Sequence, residues 1–379
     1  MRKSINILLS TTLIALFTAP ISVNAAESAA LPNSFLKLAN SPNLAKPGIL
    51  LIDPVTQSEV FASGSEVPRA PASILKLISA TSAITAFGPD RTFRTSINAT
   101  SDPSRFIMLG EFDPWLTTSS SSAKSFDRAL STKLIRAIEE TGVSLSRVRI
   151  DYHGLYAKDI ANLNYFYGNK LKFQKVSMSE VREAGEITQV QEVESPMLSQ
   201  IIGFTLLWSD NTLADRLAKS AANEMGFGRD RAGLTLAFKS VMEYLDVYSE
   251  GLYVKDGSGL SHGNRVAART IAELLWKIRV EPDYQAIYDG LPISGKSGTL
   301  KNRFEKSAKS AVGLVVAKTG WINTSVTLAG YVEVDGNEYV FAIMANRINP
   351  TERSRELARR TIDKMLAKIA KPNTYTQEG

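Results

Sequence analysis

The apolar positions along the chain follow two rhythms. Gly48 to Ile52 and Ser58 to Ala62 read as short strands. They precede APASILKLISA, Ala70 to Ala80, which opens with a proline and then runs apolar; the helix it predicts continues through Ile84 and stops at Gly88-Pro89. That helix is apolar nearly all round, as expected of one covered on several sides. From Phe93 to about Glu194 the texture changes, with short strands at Phe106 to Leu109 and Val148 to Tyr152, a helix from Ser125 to Thr141 and a serine run, Ser119 to Ser122. This predicts an inserted subdomain. After Ser195-Pro196 a helical pattern from Met197 to Leu207 meets a polar break, and helices from Asn211 to Met225 and from Arg231 to Tyr244 follow. Val312 to Ala317, Val326 to Val334 and Glu338 to Met344 read as consecutive strands, with Asp335-Gly336 a hairpin signal between the last two. A final helical pattern, Thr351 to Ala370, is studded with Arg and Lys and suits a helix packed on a sheet better than one lying on a membrane. Strands first, helices in the middle, then an antiparallel meander predict one α+β domain closed by both ends of the chain.

The first residues give an address. Arg2 and Lys3 are followed by an apolar run, Ile5 to Phe17, too short to span a bilayer, and Val23-Asn24-Ala25 ends in a small-residue cleavage pattern. A secretory signal peptide cut after Ala25 is expected, with export to the periplasm or cell envelope and no transmembrane anchor in the mature chain. The sequence has no cysteine, which excludes a lipidated cysteine anchor and any disulfide. The net charge of +6 permits attraction to an anionic polymer such as a cell wall, and is equally what a solvated basic surface carries.

Ser73 and Lys76 sit three apart on the apolar helix, where side chains are neighbours. A buried lysine is costly unless something uses it. The pair therefore reads as a serine nucleophile with a lysine base, the lysine pKa lowered by desolvation and a nearby cation. The spacing alone is not specific, since it recurs at Ser34 and Lys37 and at Ser121 and Lys124. Two further clusters supply company. In Trp208-Ser209-Asp210-Asn211, Ser209 can relay a proton and Asn211 can hold an amide, while Asp210 suits a helix cap. Lys318-Thr319-Gly320 follows an apolar strand, where a lysine and a hydroxyl suit a carboxylate and Gly320 leaves room for substrate backbone.

In this order, S-x-x-K, S-D-N and K-T-G form the trio of penicillin-binding proteins and class A β-lactamases. Asp256-Gly257-Ser258-Gly259-Leu260-Ser261, Leu291-Pro292 with Gly298-Thr299-Leu300 and Arg303-Phe304, and Gly110-Glu111-Phe112-Asp113-Pro114 resemble segments of the class C low-molecular-mass penicillin-binding proteins, the D-alanyl-D-alanine carboxypeptidase and endopeptidase family. The resemblance covers most of the mature chain and is densest from Ser195 to Arg347. It implies a serine β-lactamase/DD-peptidase-like transpeptidase fold: an antiparallel sheet flanked by helices, a helical subdomain and an insertion. The stretch between Ser73 and Ser209 is much shorter than the family's double insertion, so one inserted subdomain is expected. The layout that follows is signal peptide 1–25, catalytic domain 26–97 and 189–379, and inserted subdomain 98–188. The resemblance further implies that Ser73 attacks the carbonyl between two D-alanines of a peptidoglycan stem peptide and Lys76 takes its proton. Backbone amides of Ser73 and Trp321 would form the oxyanion hole. Ser209 would pass a proton to the leaving amine, Asn211 would position the substrate amide, and Lys318 with Thr319 would grip the terminal carboxylate. β-Lactam antibiotics would inhibit. No metal, cofactor or nucleic-acid partner is implied.

Other readings lose ground. Gly290 to Ser297, GLPISGKS, matches the P-loop pattern, but no apolar strand leads into it and Pro292 interrupts it. It also holds a second lysine triplet, Lys296-Ser297-Gly298, in a glycine-rich loop instead of on a strand. His153 and His262 are the only histidines, and neither has a nucleophile motif beside it. A serine β-lactamase would, in class A, need an added glutamate, for which Glu243 in Glu243-Tyr244-Leu245-Asp246 is the nearest approach. A wall-binding scaffold with a decayed site is opposed by the intact trio.

Overall fold

The structure, a computed structural model, describes residues 31–373; the expected signal peptide, 1–25, lies outside them. A five-stranded antiparallel sheet has the order β2-β1-β10-β9-β8, built from β1 (Gly48–Ile52), β2 (Glu59–Ser63), β8 (Val315–Ile322), β9 (Ser325–Val334) and β10 (Asn337–Asn346). Between its two halves runs a second five-stranded sheet, β6-β5-β4-β3-β7. Its strands are β3 (Arg94–Ala99), β4 (Arg105–Gly110), β5 (Arg149–His153), β6 (Lys172–Lys175) and β7 (Thr188–Glu194), with β4, β5 and β6 parallel.

The alternation of the first sheet's strands sorts their side chains between two cores. Leu50, Val340, Ala342, Met344, Ala329 and Tyr331 face one core, and Ile49, Leu51, Phe341, Ile343, Leu328 and Val332 face the other. The second of these cores is closed by α1 (Asn33–Ala39) and by α12 (Glu352–Leu366). The first is closed by the central helix α2 (Lys76–Phe87) with α7 (Leu198–Trp208), α8 (Asn211–Glu224), α9 (Arg231–Tyr244), α10 (Ala268–Val280) and α11 (Gln285–Asp289). The second sheet packs against α4 (Thr132–Glu140) and α5 (Ala157–Phe166), with α3 (Ser120–Phe126) and α6 (Met178–Glu183) beside it.

The strand expected at Gly48 to Ile52, the last two strands of the meander and the α9 helix stand where the patterns put them. The Asp335-Gly336 turn has φ of 53° and 86°, the doubly positive geometry of a two-residue hairpin. Two expectations are corrected. The single helix expected from Ser125 to Thr141 is two, α3 and α4. Asp127 takes φ of 50° between them, where the Trp115 indole N–H donates to the carbonyls of Phe126 and Asp127 at 3.2 and 3.1 Å. The strand expected to end at Ala317 instead runs to Ile322, so Lys318, Thr319, Gly320 and Trp321 lie inside it. Pairing of Lys318 with Ala329 and of Gly320 with Thr327 continues through the polar side chains because the ladder uses only backbone.

The last helix is fixed to the turn after Leu300 by a buried ion pair, Arg303 with Asp363. Removing one partner leaves a buried charge unmatched. Asp363→Ala is expected to lower unfolding stability by about 3 kcal/mol in a chemical-denaturation experiment, and the exposed Lys368→Ala to change it by less than about 0.5 kcal/mol.

Candidate active site

Ser73 lies in a 3-10 turn, Ala72–Leu75, and Lys76 opens α2 immediately after it. The approach to the serine is held from outside. Ser325 Oγ and Asn346 Nδ2 each donate to the Ala70 carbonyl at 3.0 Å, and Thr327 Oγ1 donates to the Pro71 carbonyl at 2.9 Å. Ala72 stands at φ of 50°, a conformation that costs a residue with a Cβ and persists only where its surroundings impose it. Gly259 presses on it: a Cβ there would lie 1.8 Å from the Ala72 oxygen.

Lys76 is fully buried, and its Nζ contacts three oxygens: Ser73 Oγ at 2.9 Å, Asn211 Oδ1 at 2.8 Å and the Ser258 carbonyl at 2.7 Å. Burial pulls its pKa down to about 8, against the opposing pull of Asp256 and Asp210. A neutral amine has two hydrogens and one lone pair. Donating to Asn211 and Ser258 turns the lone pair toward the serine hydroxyl, the geometry of a general base. The Ser258 carbonyl is aimed by Asp256. Its Oδ1 accepts from the Ser258 and Gly259 amides at 3.0 and 2.7 Å and its Oδ2 from the Ser261 amide at 2.8 Å. Asp256-Gly257-Ser258-Gly259-Leu260-Ser261 is thus a loop wound around one carboxylate.

Strand β8 closes the other side. A Cβ on Gly320 would lie 2.0 Å from Thr327 Oγ1 and 3.0 Å from the Ser73 amide nitrogen. The absence of a side chain on Gly320 thus lets β8 approach the turn that carries Ser73. Lys318 is fully buried and lowered well below an ordinary lysine by that burial and then by the charge of Lys76, so the two amines are near neighbours. Lys318 Nζ donates to the Thr319 carbonyl at 3.0 Å, and Thr319 Oγ1 donates to Thr299 Oγ1 at 2.9 Å. Trp321 is exposed, with the Arg355 guanidinium 5.3 Å from its ring centroid. Ser209 occupies the left-handed turn between α7 and α8 at φ of 60°, with no side-chain hydrogen bond among the described residues, and Asp210 caps α8 through the Leu213 amide at 2.9 Å.

Several contributors carry no side-chain signature in the sequence. The Ser258 carbonyl is backbone. Tyr156, Ala157 and Lys158, at the start of α5, line a cleft of about 480 Å3 with Asn211, Asp256 and Ser258. They are placed there by Arg216 of α8, which pairs with Asp159 at 2.5 Å and accepts the Tyr156 hydroxyl on its carbonyl at 3.1 Å. Lys296 lies over Gly313 in a loop, as its rival triplet was read, and Glu243 is exposed at the end of α9.

A hydroxyl hydrogen-bonded to a buried amine of lowered pKa, beside a second buried amine, is an arrangement able to support acyl transfer to the serine with the amine accepting its proton. The model of the D-Ala-D-Ala carboxypeptidase 3 (S13) family matches residues 169–369, and the chain belongs to that family of serine-type D-Ala-D-Ala carboxypeptidases. It is 26% identical over 377 residues to the carboxypeptidase DacB of Mycolicibacterium smegmatis, covering 84% of this chain and 81% of that one. It is 38% identical over 158 residues to a D-alanyl-D-alanine carboxypeptidase of Actinomadura sp., covering 40% of this chain and 29% of that one. The fold is shared with penicillin binding protein 4 of Haemophilus influenzae in complex with a β-lactam, at a TM-score of 0.69 and 16% identity over 87% of this chain and 98% of that one. It is shared too with a penicillin G-acylated predatory endopeptidase of Bdellovibrio bacteriovorus, at 0.62 and 16% over 86% and 93%.

Displacing the nucleophile turn is expected to be costly, since an error near 1 Å in such a site can cost about 100-fold in rate. Gly259→Ala should slow acylation by a labelled penicillin by about that factor. Gly203→Ala, where a Cβ meets open space and the backbone is helical, should leave the rate unchanged.

Proposed function

We propose that the chain is an exported, penicillin-sensitive DD-peptidase that forms its acyl-enzyme on Ser73. The observation that carries this is the Lys76 amine, desolvated to a pKa of about 8 and 2.9 Å from Ser73 Oγ. As Ser73 Oγ bonds to the carbonyl of the penultimate D-alanine, Lys76 takes the hydroxyl proton. The Ser73 and Trp321 amides face the oxyanion. Asn211 holds the substrate amide as well as Lys76. When the C–N bond breaks, Ser209 passes a proton to the departing amine, and water then hydrolyses the ester, regenerating Ser73.

Lys318, its pKa pulled down by burial and then by the charge of Lys76, is suited to a substrate that brings a counter-ion. A terminal carboxylate arriving beside it favours the ammonium form and pairs with it. Thr319 supplies a second donor. Free D-alanine as leaving group makes the reaction a carboxypeptidase, and a cross-linked side-chain amine makes it an endopeptidase; both use the same acyl-enzyme. A β-lactam keeps its leaving amine tethered after ring opening, which stalls the ester. We take residues 98–188 as the inserted subdomain, with Tyr156 and Lys158 its contribution to the cleft, and residues 1–25 as an export signal.

A labelled penicillin should modify one peptide of the wild-type chain, the one holding Ser73, by mass spectrometry. Ser73→Ala and Lys76→Met should give no adduct. Equal labelling of wild type and Ser73→Ala would remove the nucleophile from its role. Digestion of cross-linked muropeptides should release D-alanine, uncross-linked monomers, or both.

A further inference from the structure

Beyond the cleft, a groove of about 420 Å3 borders Ala70, three residues ahead of Ser73. Lys46, Arg69, His262, Arg265 and Arg347 line it, and none of its lining residues is acidic. Half-buried Arg69 and exposed Arg265 are held by backbone carbonyls. Arg69 donates from Nε to the Lys46 carbonyl at 2.9 Å and from NH1 to the Gly64 and Val67 carbonyls at 2.6 and 2.7 Å. Arg265 NH1 donates to the His262 and Asn264 carbonyls at 2.8 and 2.7 Å. These bonds orient the guanidinium groups and leave their charge uncompensated. The Lys46 and Arg347 side chains are exposed and have no hydrogen-bond or ion-pair partner among the described residues. Arg347 stands at φ of 57°, in a segment tied to the β8–β9 turn by the Ile348 amide on the Thr324 carbonyl at 3.2 Å. Burial, and then the charge of Arg347, lowers the Arg69 pKa, the direction that crowded like charges produce.

Four permanent cations from four separate segments, converging without a counter-ion, repel one another until an anion is supplied. Guanidinium groups present a planar fork that matches a carboxylate. The groove is also continuous with the nucleophile's support, because Asn346 both lines it and donates to the Ala70 carbonyl. We infer that this groove is an exosite for a carboxylate-bearing segment of a peptide polymer, gripped by Lys46, Arg265 and Arg347 while another part of the polymer occupies the cleft at Ser73. The identity of the polymer as wall peptide rests on the function proposed above, and a peptide brings carboxylates where a phosphate polymer would not. Anchoring at a second site raises the local concentration of scissile bonds without new contacts in the cleft.

The test is calorimetric titration of the full chain with a γ-linked glutamate tripeptide, its fully amidated form and inorganic phosphate. The acidic tripeptide is expected to bind, more weakly as salt is raised, and the amidated form not to bind. In the doubly substituted Lys46→Gln/Arg347→Gln chain its affinity should fall at least about tenfold, the loss typical of a charge-assisted hydrogen bond, with penicillin labelling as in wild type. Equal affinity in the double variant, equal binding of the amidated peptide, or displacement of the tripeptide by phosphate at lower concentration than the tripeptide itself requires would each overturn the assignment. Loss of penicillin labelling from the wild-type chain would count against Ser73 instead, and leaves the binding readout intact.

Discussion

The structure turns on a lysine side chain held out of water. Burying an amine disfavours its charged form, and Lys76 is tolerated at the head of the central helix because three oxygens from three elements meet its Nζ. Each of those oxygens imposes a demand elsewhere. Asn211 must sit at the first turn of α8, which its neighbour Asp210 caps. The Ser258 carbonyl must point inward, so a loop is wound on Asp256. Ser73 must precede the helix in a tight turn, so Ala72 takes a left-handed backbone and Gly259 gives way to it.

Strand β8 belongs to the same arrangement. Its approach to the Ser73 turn is possible because residue 320 is a glycine, and Lys318 on that strand has its pKa lowered by burial and then by the charge of Lys76. Two neighbouring amines of lowered pKa are of little use to stability. One can act as a base and the other can receive an anion, and the second sheet reaches the same place through the Arg216 and Asp159 pair, which sets Tyr156 and Lys158 on the rim.

Much of this was legible in the sequence where side-chain period or chemistry leaves a mark. β1 and β10 alternate between two cores, Asp335-Gly336 supplies two residues tolerant of positive φ, and Ser73, Lys76 and Asn211 announce themselves by type and spacing. Polar strands did not. β7, with the sequence Thr-Gln-Val-Gln-Glu-Val-Glu, is largely open to solvent and offers little apolar signal, and β6 is a short polar edge. The extent of β8 was misread because Lys318 and Thr319 look like a strand's end while their backbones continue the ladder. Backbone acceptors such as the Ser258 carbonyl leave no trace in composition, and the cationic groove is gathered from segments hundreds of residues apart.

The pH dependence of Ser73 acylation tests the central claim most directly. Lys76 works as a base only when deprotonated, so the second-order rate constant with a penicillin should rise with pH to a plateau, with a midpoint near 8. Asp256 raises the Lys76 pKa by its charge, so Asp256→Asn should move that midpoint to lower pH, whatever it does to the absolute rate. A rate that is flat across the range, or a midpoint that stays put or climbs when the carboxylate is removed, would contradict the account.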